Sequence, residues 1–172
     1  MNVATRPLDL TDLDAIEAIE RDSYPTPWSR PMFVSELAKP SSRSIGAVVS
    51  DETLAGYLIL SRYVDAWHVM NLAVGAAYRR RGIASTMLER LFEVTRDDVE
   101  RGYTLEVRVS NLGAISLYEG FGFVRRGIRR GYYTDNREDA LIMWKGADGL
   151  EGADELEGAD GLEGAETTGP SE

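Results

Sequence analysis

Three β-rich runs that follow one another closely are the feature that most limits the possible fold. They span Ile45–Ser50, Leu54–Ser61 and Tyr63–Val74, and only short polar turns around Asp51 and Arg62 separate them. Runs rich in β-branched and aromatic residues between polar turns are typical of strands. Strands joined by such short turns pair antiparallel with their neighbours. The sequence therefore predicts a three-stranded antiparallel meander.

Segments with helical periodicity lie on both sides of this meander. Thr11 is placed to cap a helix that runs to about Arg21, with Leu13, Ile16 and Ile19 on one face. The other predicted elements are a helix opened by Ser29 and Pro31 that stops before Pro40, helices over Ile83–Thr95 and Asn111–Glu119, and strands over Tyr103–Val109, Phe123–Arg126 and Ala140–Trp144. The resulting order, ααβββαβαββ, predicts a mixed α/β fold, with helices and an α+β type of sheet in one domain.

The net charge of −10 is distributed unevenly along the chain. Every Lys and Arg lies at or before Lys145, whereas nine of the 29 acidic residues lie in Gly146–Glu172. Residues 1–145 therefore hold 20 acids against 19 bases and are almost neutral. A body of this length is the size of one ordinary domain, so we expect a single domain over residues 1–145.

The acidic segment after Lys145 repeats a six-residue unit, GADGLE or GADELE. Its leucines are six residues apart, a spacing that forms no apolar stripe on a helix. Without an apolar face the segment cannot offset the entropy lost on ordering. We expect a disordered, acidic, low-complexity tail over residues 146–172, with a short solenoid or a partner-induced fold as the alternatives.

The chain has no cysteine and one histidine, His68, which limits the chemistry it can perform. No disulfide, thiolate zinc site or Cys nucleophile is possible, and a Ser-His-Asp triad has a single candidate base. We expect no metal, and we interpret His68, which alternates with Trp67 and Val69 on a predicted strand, as structural. No apolar segment resembles a signal peptide or a membrane span, which favours a soluble, cytoplasmic protein.

Asn71–Ser85 has the pattern of a strand that passes through a tight turn into an amphipathic helix. Gly82 and Ala84 are small residues placed where backbone amides can approach a ligand, at a helix N-terminus whose free N–H groups favour an anion. The preceding arginines, residues 79–81, are mildly unfavourable at this end of a helix dipole unless an anion is bound. The pattern predicts a phosphate-binding turn, and the alternative is a solvated basic turn.

The run Arg79–Ala84, RRRGIA, resembles the acetyl-CoA signature R/Q-x-x-G-x-G/A of the GNAT acyltransferases. Leu105–Phe123, Tyr24–Ser29 and Gly131–Met143 resemble the RimI-type N-terminal acetyltransferases of that family. The resemblance covers residues 1–145. It implies the GNAT fold, a central, mostly antiparallel sheet flanked by helices, and transfer of acetyl from acetyl-CoA to the N-terminal α-amino group of a protein. RimI-type enzymes acetylate the N-terminal alanine of a small-subunit ribosomal protein.

The same resemblance implies which residues bind acetyl-CoA. The backbone of Leu72, Ala73 and Val74 would pair with the pantetheine arm, and Asn111 would hold the cofactor near its thiol end. Ala76 stands where the family usually has proline, a change that removes no ligand. The pyrophosphate would be surrounded by Arg80, Arg81, Gly82, Ile83, Ala84 and Ser85.

Glu106 matches the general base of the family. An α-amino group has a pKa of about 7.7–8.0 and is largely protonated at neutral pH, so a group must take its proton before it attacks. On a strand, Glu106 points away from the face shared by Leu105 and Val107. A carboxyl group with an ordinary pKa of about 4.3 is a weak base, so either burial raises that pKa or an ordered water relays the proton. The alternative is a solvated carboxylate paired with Arg108.

Tyr118 matches the general acid of the family. CoA leaves as a thiolate with a basicity near that of a free thiol, pKa about 8.5, and a phenol of pKa about 10 can protonate it. The alternative is a helix residue packed with Ile115 and Phe121. Asn111 also lies where it could cap the helix that carries Tyr118, and this role is compatible with cofactor binding.

Four aromatic residues lie in loops that flank the peptide groove of RimI-type enzymes. Aromatic residues in such loops are also common in cores, and this alternative stays open. Four arginines in residues 125–130 form a basic run that we interpret as a solvated edge, and the almost neutral body argues against direct nucleic-acid binding. The four predicted substrate-binding residues are Tyr24, Trp28, Tyr132 and Tyr133.

The predicted partner is a protein or peptide N-terminus, with no membrane, and the reaction is direct attack in a ternary complex because no cysteine is available to carry an acetyl group. One alternative is acetylation of another amine, such as a Lys side chain, a polyamine or a small molecule. A second alternative is a non-catalytic acetyl-CoA-binding module. The presence of both Glu106 and Tyr118 counts against that second alternative.

Overall fold

The computed structural model describes residues 1–147, in which seven strands form one sheet flanked by four α-helices. The strands are β1 (Ala4–Arg6), β2 (Ser42–Val48), β3 (Leu54–Tyr63), β4 (Ala66–Val74), β5 (Gly102–Arg108), β6 (Val124–Arg129) and β7 (Ala140–Gly146). The helices are α1 (Leu13–Ser23), α2 (Arg30–Ala38), α3 (Ile83–Thr95) and α4 (Leu112–Gly120). The predicted mixed fold is confirmed, and the element order differs from the prediction only by the additional β1.

The strands lie in the order β1-β2-β3-β4-β5-β7-β6. The meander β2-β3-β4 is antiparallel, as predicted, because its connections are short turns. Helix α3 lies in the longer connection between β4 and β5, and within residues 1–147 these two strands form the one parallel pair. The sheet is therefore antiparallel except at its centre.

β1 was not predicted because it is an edge strand of only three residues, too short to show the alternation that marks a strand. Arg6 at its end donates two hydrogen bonds of 2.8 Å to the carboxylate of Asp12. Asp12 also accepts from the backbone N–H of Asp9, and the side chain of Asp9 accepts from Thr11 N at 2.7 Å. The predicted Thr11 cap is therefore wrong: Asp9 caps a 3-10 turn, and α1 begins after it at Leu13.

The two faces of the sheet carry separate cores, because alternate side chains of a strand point in opposite directions. In β3, Leu58 and Leu60 pack towards α3 and α4, whereas Tyr57 and Ile59 pack towards α1 and α2. A β-bulge interrupts the pairing of β3 with β4 between Ile59 and Leu60. The bulge lets consecutive residues of β4, at 70 and 71, both reach the α1 side.

β4 and β5 pair over three residues each and then separate. The last paired residues are His68 of β4 and Thr104 of β5. Beyond them, residues 69–74 of β4 and residues 105–108 of β5 have no hydrogen-bonded pairing with each other. We call this opening, between residues 69–74 and residues 105–108, the fork.

The predicted acidic tail lies outside the described residues, apart from its first two positions. Gly146 still pairs with Gly102 across β7 and β5, so the folded domain extends slightly beyond the predicted boundary at Lys145. Within residues 1–147, no helix combines the length and the apolar character that crossing a bilayer requires.

Candidate active site

Glu106 lies at the base of the fork and is almost fully buried, with 5% of its surface exposed. Leu105 and Val107 belong to the core under α3 and α4, and strand alternation places Glu106 on the opposite face, as predicted. Its Oε2 atom lies 2.7 Å from Nε2 of His68. The alternative of a solvated carboxylate paired with Arg108 is therefore excluded.

His68 is the residue of this site that the sequence interpretation treated as structural. It is buried, and its ring meets Tyr63 edge-on with the ring centroids 6.2 Å apart. His68 reaches Glu106 because the parallel pairing aligns it with Thr104, two residues before Glu106 on the same face. No local pattern revealed this contact, since it depends on which strand of the chain lies beside β4.

Arg129 approaches the other oxygen of the Glu106 carboxylate. Its Nε atom lies 3.5 Å from Oε1, and its guanidinium lies 5.7 Å from the ring centroid of Tyr132. Interpreting the whole basic run as a solvated edge was therefore wrong for this residue. Glu106 has a basic side chain near each oxygen, and such neighbours favour the ionised form of a carboxyl group.

The connection between β6 and β7 forms a wall beside Glu106 and is tied to β5 by Arg108. The guanidinium of Arg108 lies 3.9 Å from the ring centroid of Tyr133, donates to both oxygens of Asp135 at 3.0 Å, and donates to Glu138 at 3.3 Å. Desolvation raises the pKa values of Asp135 and Glu138, but hydrogen bonds outweigh it and hold both below their usual range. The main lowering partner is Arg108 for Asp135 and Ser110 for Glu138, with a smaller contribution from Arg108. These contacts fix the position of the loop that carries the predicted substrate-binding tyrosines.

Tyr133 has a buried hydroxyl group that makes no hydrogen bond with any of residues 1–147. Burial raises the pKa of its phenol well above the usual range, so the group stays protonated and can donate. Tyr132 is half-buried, and its ring meets that of Tyr133 edge-on at 5.2 Å. An unsatisfied buried hydroxyl is costly, which makes Tyr133 a candidate ligand for a substrate.

Tyr118 lies on α4 and is buried against the core. Its ring packs on Phe123 with the centroids 5.5 Å apart, so the aromatic packing that we considered as the alternative role is present, with Phe123 rather than Phe121 as the aromatic partner. Asn111 caps α4, because its Oδ1 accepts from Ala114 N at 3.2 Å. Its predicted contact with the cofactor and the acid role of Tyr118 stay predictions.

Tyr24 and Trp28 lie in the core on the α1 side of the sheet. The hydroxyl of Tyr24 donates to the carbonyl of Leu72, and the ring of Trp28 packs on Phe33 at 5.3 Å. The backbone N–H of Trp28 donates to Glu20 at 2.9 Å. The loop between α1 and α2 is thus fixed by buried contacts, and direct contact of these two aromatic residues with substrate stays a prediction.

The end of β4 presents alternate backbone groups to the fork. The backbone N–H of Gly75 donates to the carbonyl of Ala55 in β3. Every second residue of a strand directs its N–H and C=O groups to the same side, so Ala73 also directs its groups towards β3. Leu72 and Val74 direct theirs the other way, where their carbonyl groups accept from Tyr24 and from Arg79, the latter at 3.0 Å. Leu72 and Val74 therefore supply the amide groups that can pair with an extended ligand.

The turn before α3 has the geometry of an anion site. Arg80 and Gly82 both have positive φ, 60° and 77°, and α3 begins at Ile83. The first N–H groups of a helix have no partner within the helix, so those that begin α3 can bind an anion. A Cβ atom built on Gly82 meets nothing within 4 Å, so there is open space beside Gly82 itself.

Arg79 does not share this role, although the sequence places it in the basic run. Its Nε donates to Val74 O and its Nη2 donates to Ser23 Oγ at 3.1 Å. Arg79 thus fastens the turn to β4 and to the end of α1. Arg80, Arg81 and the amides from Gly82 to Ser85 remain the predicted phosphate ligands.

These features fit the chemistry of acetyl-CoA. An extended arm can run along the outward amides of Leu72 and Val74, and phosphates can occupy the open space at Gly82. An acyl group at the end of that arm would lie in the fork, on the side of Glu106. Within residues 1–147, no cluster of three or more His, Asp or Glu side chains has the arrangement of a metal site.

Comparisons with known proteins agree with this geometry. Residues 13–123 match the Acetyltransferase (GNAT) family. The [Ribosomal protein bS18]-alanine N-acetyltransferase of Escherichia coli K12 is 36% identical over 138 residues, which cover 79% of this chain and 92% of that protein. The crystal structure of the E. coli ribosomal-protein-S18-alanine N-acetyltransferase superposes with a TM-score of 0.78, covering 90% of this chain and 99% of that one at 33% identity.

A more distant structure shares the fold. Arabidopsis thaliana NAA60 in complex with acetyl-CoA has a TM-score of 0.77 at 23% identity and covers 86% of this chain and 99% of that chain. The same architecture therefore holds acetyl-CoA in another protein. The chain described here belongs to the GNAT acetyltransferase family and is an acetyl-CoA-dependent N-acetyltransferase.

Proposed function

We propose that this enzyme acetylates the N-terminal α-amino group of a protein, and that the acceptor is the N-terminal alanine of ribosomal protein bS18. The acceptor is proposed from the E. coli relative, which is named for that reaction and shares 36% of its residues over most of both chains.

The observation that carries the proposal is a buried carboxyl group at the point where two central strands separate. Glu106 is enclosed by the sheet, with His68 and Arg129 near its two oxygens. A carboxylate held in this way can accept a proton from an ammonium group that enters the fork. The neutral amine is then free to attack an acyl carbon.

The bound donor supplies an activated acetyl group as a thioester. Leu72 and Val74 orient its extended arm, while Ala73 faces β3 and acts by shaping the strand. Phosphate groups are held by Arg80, Arg81, Gly82, Ile83, Ala84 and Ser85, with Asn111 nearer the thiol end. Tyr118 protonates the leaving thiolate, because a phenol is acidic enough to serve a thiolate of pKa about 8.5.

The acceptor binds between the α1–α2 loop and the β6–β7 loop. The buried hydroxyl of Tyr133 offers a hydrogen-bond donor, and Tyr132 lies beside it at the half-exposed surface. Tyr24 and Trp28 complete the opposite wall from within the core. The acceptor attacks directly in a ternary complex, since the chain has no cysteine to carry the acetyl group.

We place the enzyme in the cytoplasm, with catalysis confined to residues 1–145 and a separate acidic tail. No metal, membrane or direct nucleic-acid contact has a part in the proposed reaction. The almost neutral charge of residues 1–145 supports a protein acceptor over a polyanion.

The test is an acceptor screen with the purified full-length chain and acetyl-CoA. Short peptides that begin with Ala, Ser, Met or Lys are compared with Nα-blocked lysine peptides and with spermidine, and mass spectrometry locates the acetyl group. The proposal predicts the highest kcat/KM for the bS18-like peptide that begins with Ala, with acetyl on the α-nitrogen. Preferred acetylation of the lysine side chain or of spermidine would instead establish one of the alternative acceptors.

A further inference from the structure

The buried pair of His68 and Glu106 carries an inference beyond the assignment of a base. Both side chains are almost fully buried, at 6% and 5% exposure, and they join adjacent strands where the pairing of β4 with β5 ends and the fork begins. A carboxylate removed from water normally becomes neutral, because burial disfavours its charged form. A neutral Glu106 could not take a proton from the acceptor.

The groups around Glu106 decide which form it takes. His68 approaches Glu106 from β4, and Arg129 approaches it from β6. Tyr133 lies in the β6–β7 connection, and Ile142 of β7 is the apolar cross-strand neighbour of Glu106. The contact to His68 is 2.7 Å, and the contact to Arg129 is 3.5 Å. Of these two basic neighbours, His68 is therefore the nearer, and it lies within ordinary hydrogen-bond distance.

The groups around His68 also limit what it can do. The edge of Tyr63 lies against its ring on the β3 side, and the buried Ser61 is its cross-strand neighbour on β3. Next to an ionised carboxylate, Nε2 must carry a proton, because two acceptors at 2.7 Å repel each other. In the neutral ring the proton is then on Nε2 and absent from Nδ1.

We propose that His68 is a positioning residue that keeps Glu106 ionised and fixed in the fork by donating its Nε2–H to Oε2. This inference rests on the proposed function, because it assigns the role of His68 through the base role of Glu106. The protons balance as follows: the acceptor ammonium loses one proton to the Glu106 carboxylate, which becomes a neutral acid. When the tetrahedral adduct collapses, the nitrogen loses a second proton, which replaces the one that Tyr118 gives to the leaving thiolate. His68 keeps its Nε2 proton throughout, and Glu106 later releases the proton to solvent.

Two substitutions separate hydrogen-bond donation from packing. His68→Gln keeps an amide N–H near the position of Nε2, and His68→Leu fills the space without a donor. We expect His68→Gln to retain kcat within about threefold. We expect His68→Leu to lower kcat at neutral pH about tenfold or more and to move the acidic limb of its pH profile up by about one pH unit, because a buried carboxylate without its donor ionises less readily.

Kinetics are measured on the full-length chain with saturating acetyl-CoA and Ala-first peptide, so that kcat reports groups in the ternary complex. The same peptide is used throughout, so its own ionisation is common to all variants. Thr95→Val is the matched structural control, since it removes another buried hydrogen bond of 2.7 Å, to Tyr103, outside the fork. It should change the melting temperature but leave the pH profile of kcat unaltered.

A direct measurement covers the case in which His68→Leu is poorly stable. NMR titration of the Glu106 side-chain carbon in the free protein should give a higher pKa in His68→Leu than in wild type. Equal titration curves, or a His68→Gln variant as impaired as His68→Leu, would overturn the inference. Wild-type turnover by Glu106→Gln would instead refute the proposed base, whereas an inactive Glu106→Gln beside a fully active His68→Leu would refute only the role of His68.

Discussion

The hydroxyl group of Tyr24 donates a buried hydrogen bond to the carbonyl of Leu72 and thereby ties the α1–α2 loop to the end of β4. The loop belongs to the predicted acceptor side of the site, and the strand end belongs to the donor side. The buried carboxyl of Glu20 adds to this link by accepting from Trp28 N at 2.9 Å and from Asn71 Nδ2 at 3.0 Å. The two substrate sides therefore share one rigid support.

Substitution of Gly82 tests the phosphate-binding turn. Gly82→Asn can adopt the positive φ of 77° but fills the open space, and Gly82→Asp adds a negative charge beside the phosphates. We expect calorimetry to show acetyl-CoA affinity about tenfold lower for Asn and lower still for Asp. Gly120→Ala is the control, because a Cβ there also meets nothing within 4 Å but lies in α4 with negative φ. Unchanged affinity in Gly82→Asp would refute the turn as a phosphate site.

The unpartnered hydroxyl of Tyr133 gives a prediction that separates binding from folding. Removing a buried hydroxyl without a partner should not destabilise the fold, so Tyr133→Phe should match or exceed the wild-type free energy of unfolding, by up to about 1 kcal/mol. If Tyr133 binds the acceptor, the KM for peptide should rise severalfold. Tyr103→Phe is the control with the opposite expectation for stability, because the hydroxyl of Tyr103 forms a hydrogen bond of 2.7 Å with the hydroxyl of Thr95. That control should lose about 1 kcal/mol with the KM unchanged, and an unaltered KM in Tyr133→Phe would remove Tyr133 from the acceptor site.

The pair of Arg6 and Asp12 predicts a pH dependence of stability. Two hydrogen bonds from Arg6 are the main cause that lowers the pKa of Asp12 in the folded protein. The pair therefore adds to the free energy of unfolding at pH values above the unfolded pKa of Asp12, near 3.8. This contribution is lost as the pH falls through the lower pKa that Asp12 has in the folded protein. Asp12→Asn should lower the free energy of unfolding at pH 7 by about 1–2 kcal/mol in urea titrations. The two curves should converge as the pH falls below about 4. The exposed Asp14→Asn is the control, and a pH-independent difference for Asp12→Asn would contradict the ionic explanation.

The end of β7 predicts how short the chain can be made. Gly146 pairs with Gly102, and Ala147 N donates to Arg101 O at 3.0 Å. A chain that stops at Ala147 should keep the melting temperature and the kinetics of the full chain on a short peptide. A chain that stops at Lys145 loses this last pairing, and its melting temperature should fall by about 2–4 °C. A large loss of activity in the chain of residues 1–147 would show that the acidic segment takes part in the site.

The sequence predicted those elements whose signals are local. α3 runs from Ile83 to Thr95 as predicted, because its apolar residues recur with helical period directly after Gly82. The face of Glu106 was also predictable, since strand alternation depends only on Leu105 and Val107.

Contacts that depend on tertiary pairing were not predictable in this way. His68 meets Glu106 only because β5 lies parallel to β4, after a connection of 27 residues (75–101) that includes α3. Arg79 appeared to be one of three equivalent arginines, but the close approach of α1 gives it Ser23 as a partner. Asp9 displaced Thr11 as the cap because Arg6, on a strand that was not predicted, holds Asp12.

The most direct test of the account is the turnover of Glu106→Gln, because the central claim is that this buried carboxylate takes the proton of the acceptor amine. The amide is nearly isosteric and can still accept from His68, so binding of acetyl-CoA in calorimetry should stay within about twofold. Glu89→Gln, an exposed residue of α3, is the matched control. We expect kcat with the Ala-first peptide to fall about 100-fold or more in Glu106→Gln and to stay unchanged in Glu89→Gln. Wild-type kcat in Glu106→Gln, with binding intact, would contradict the central claim.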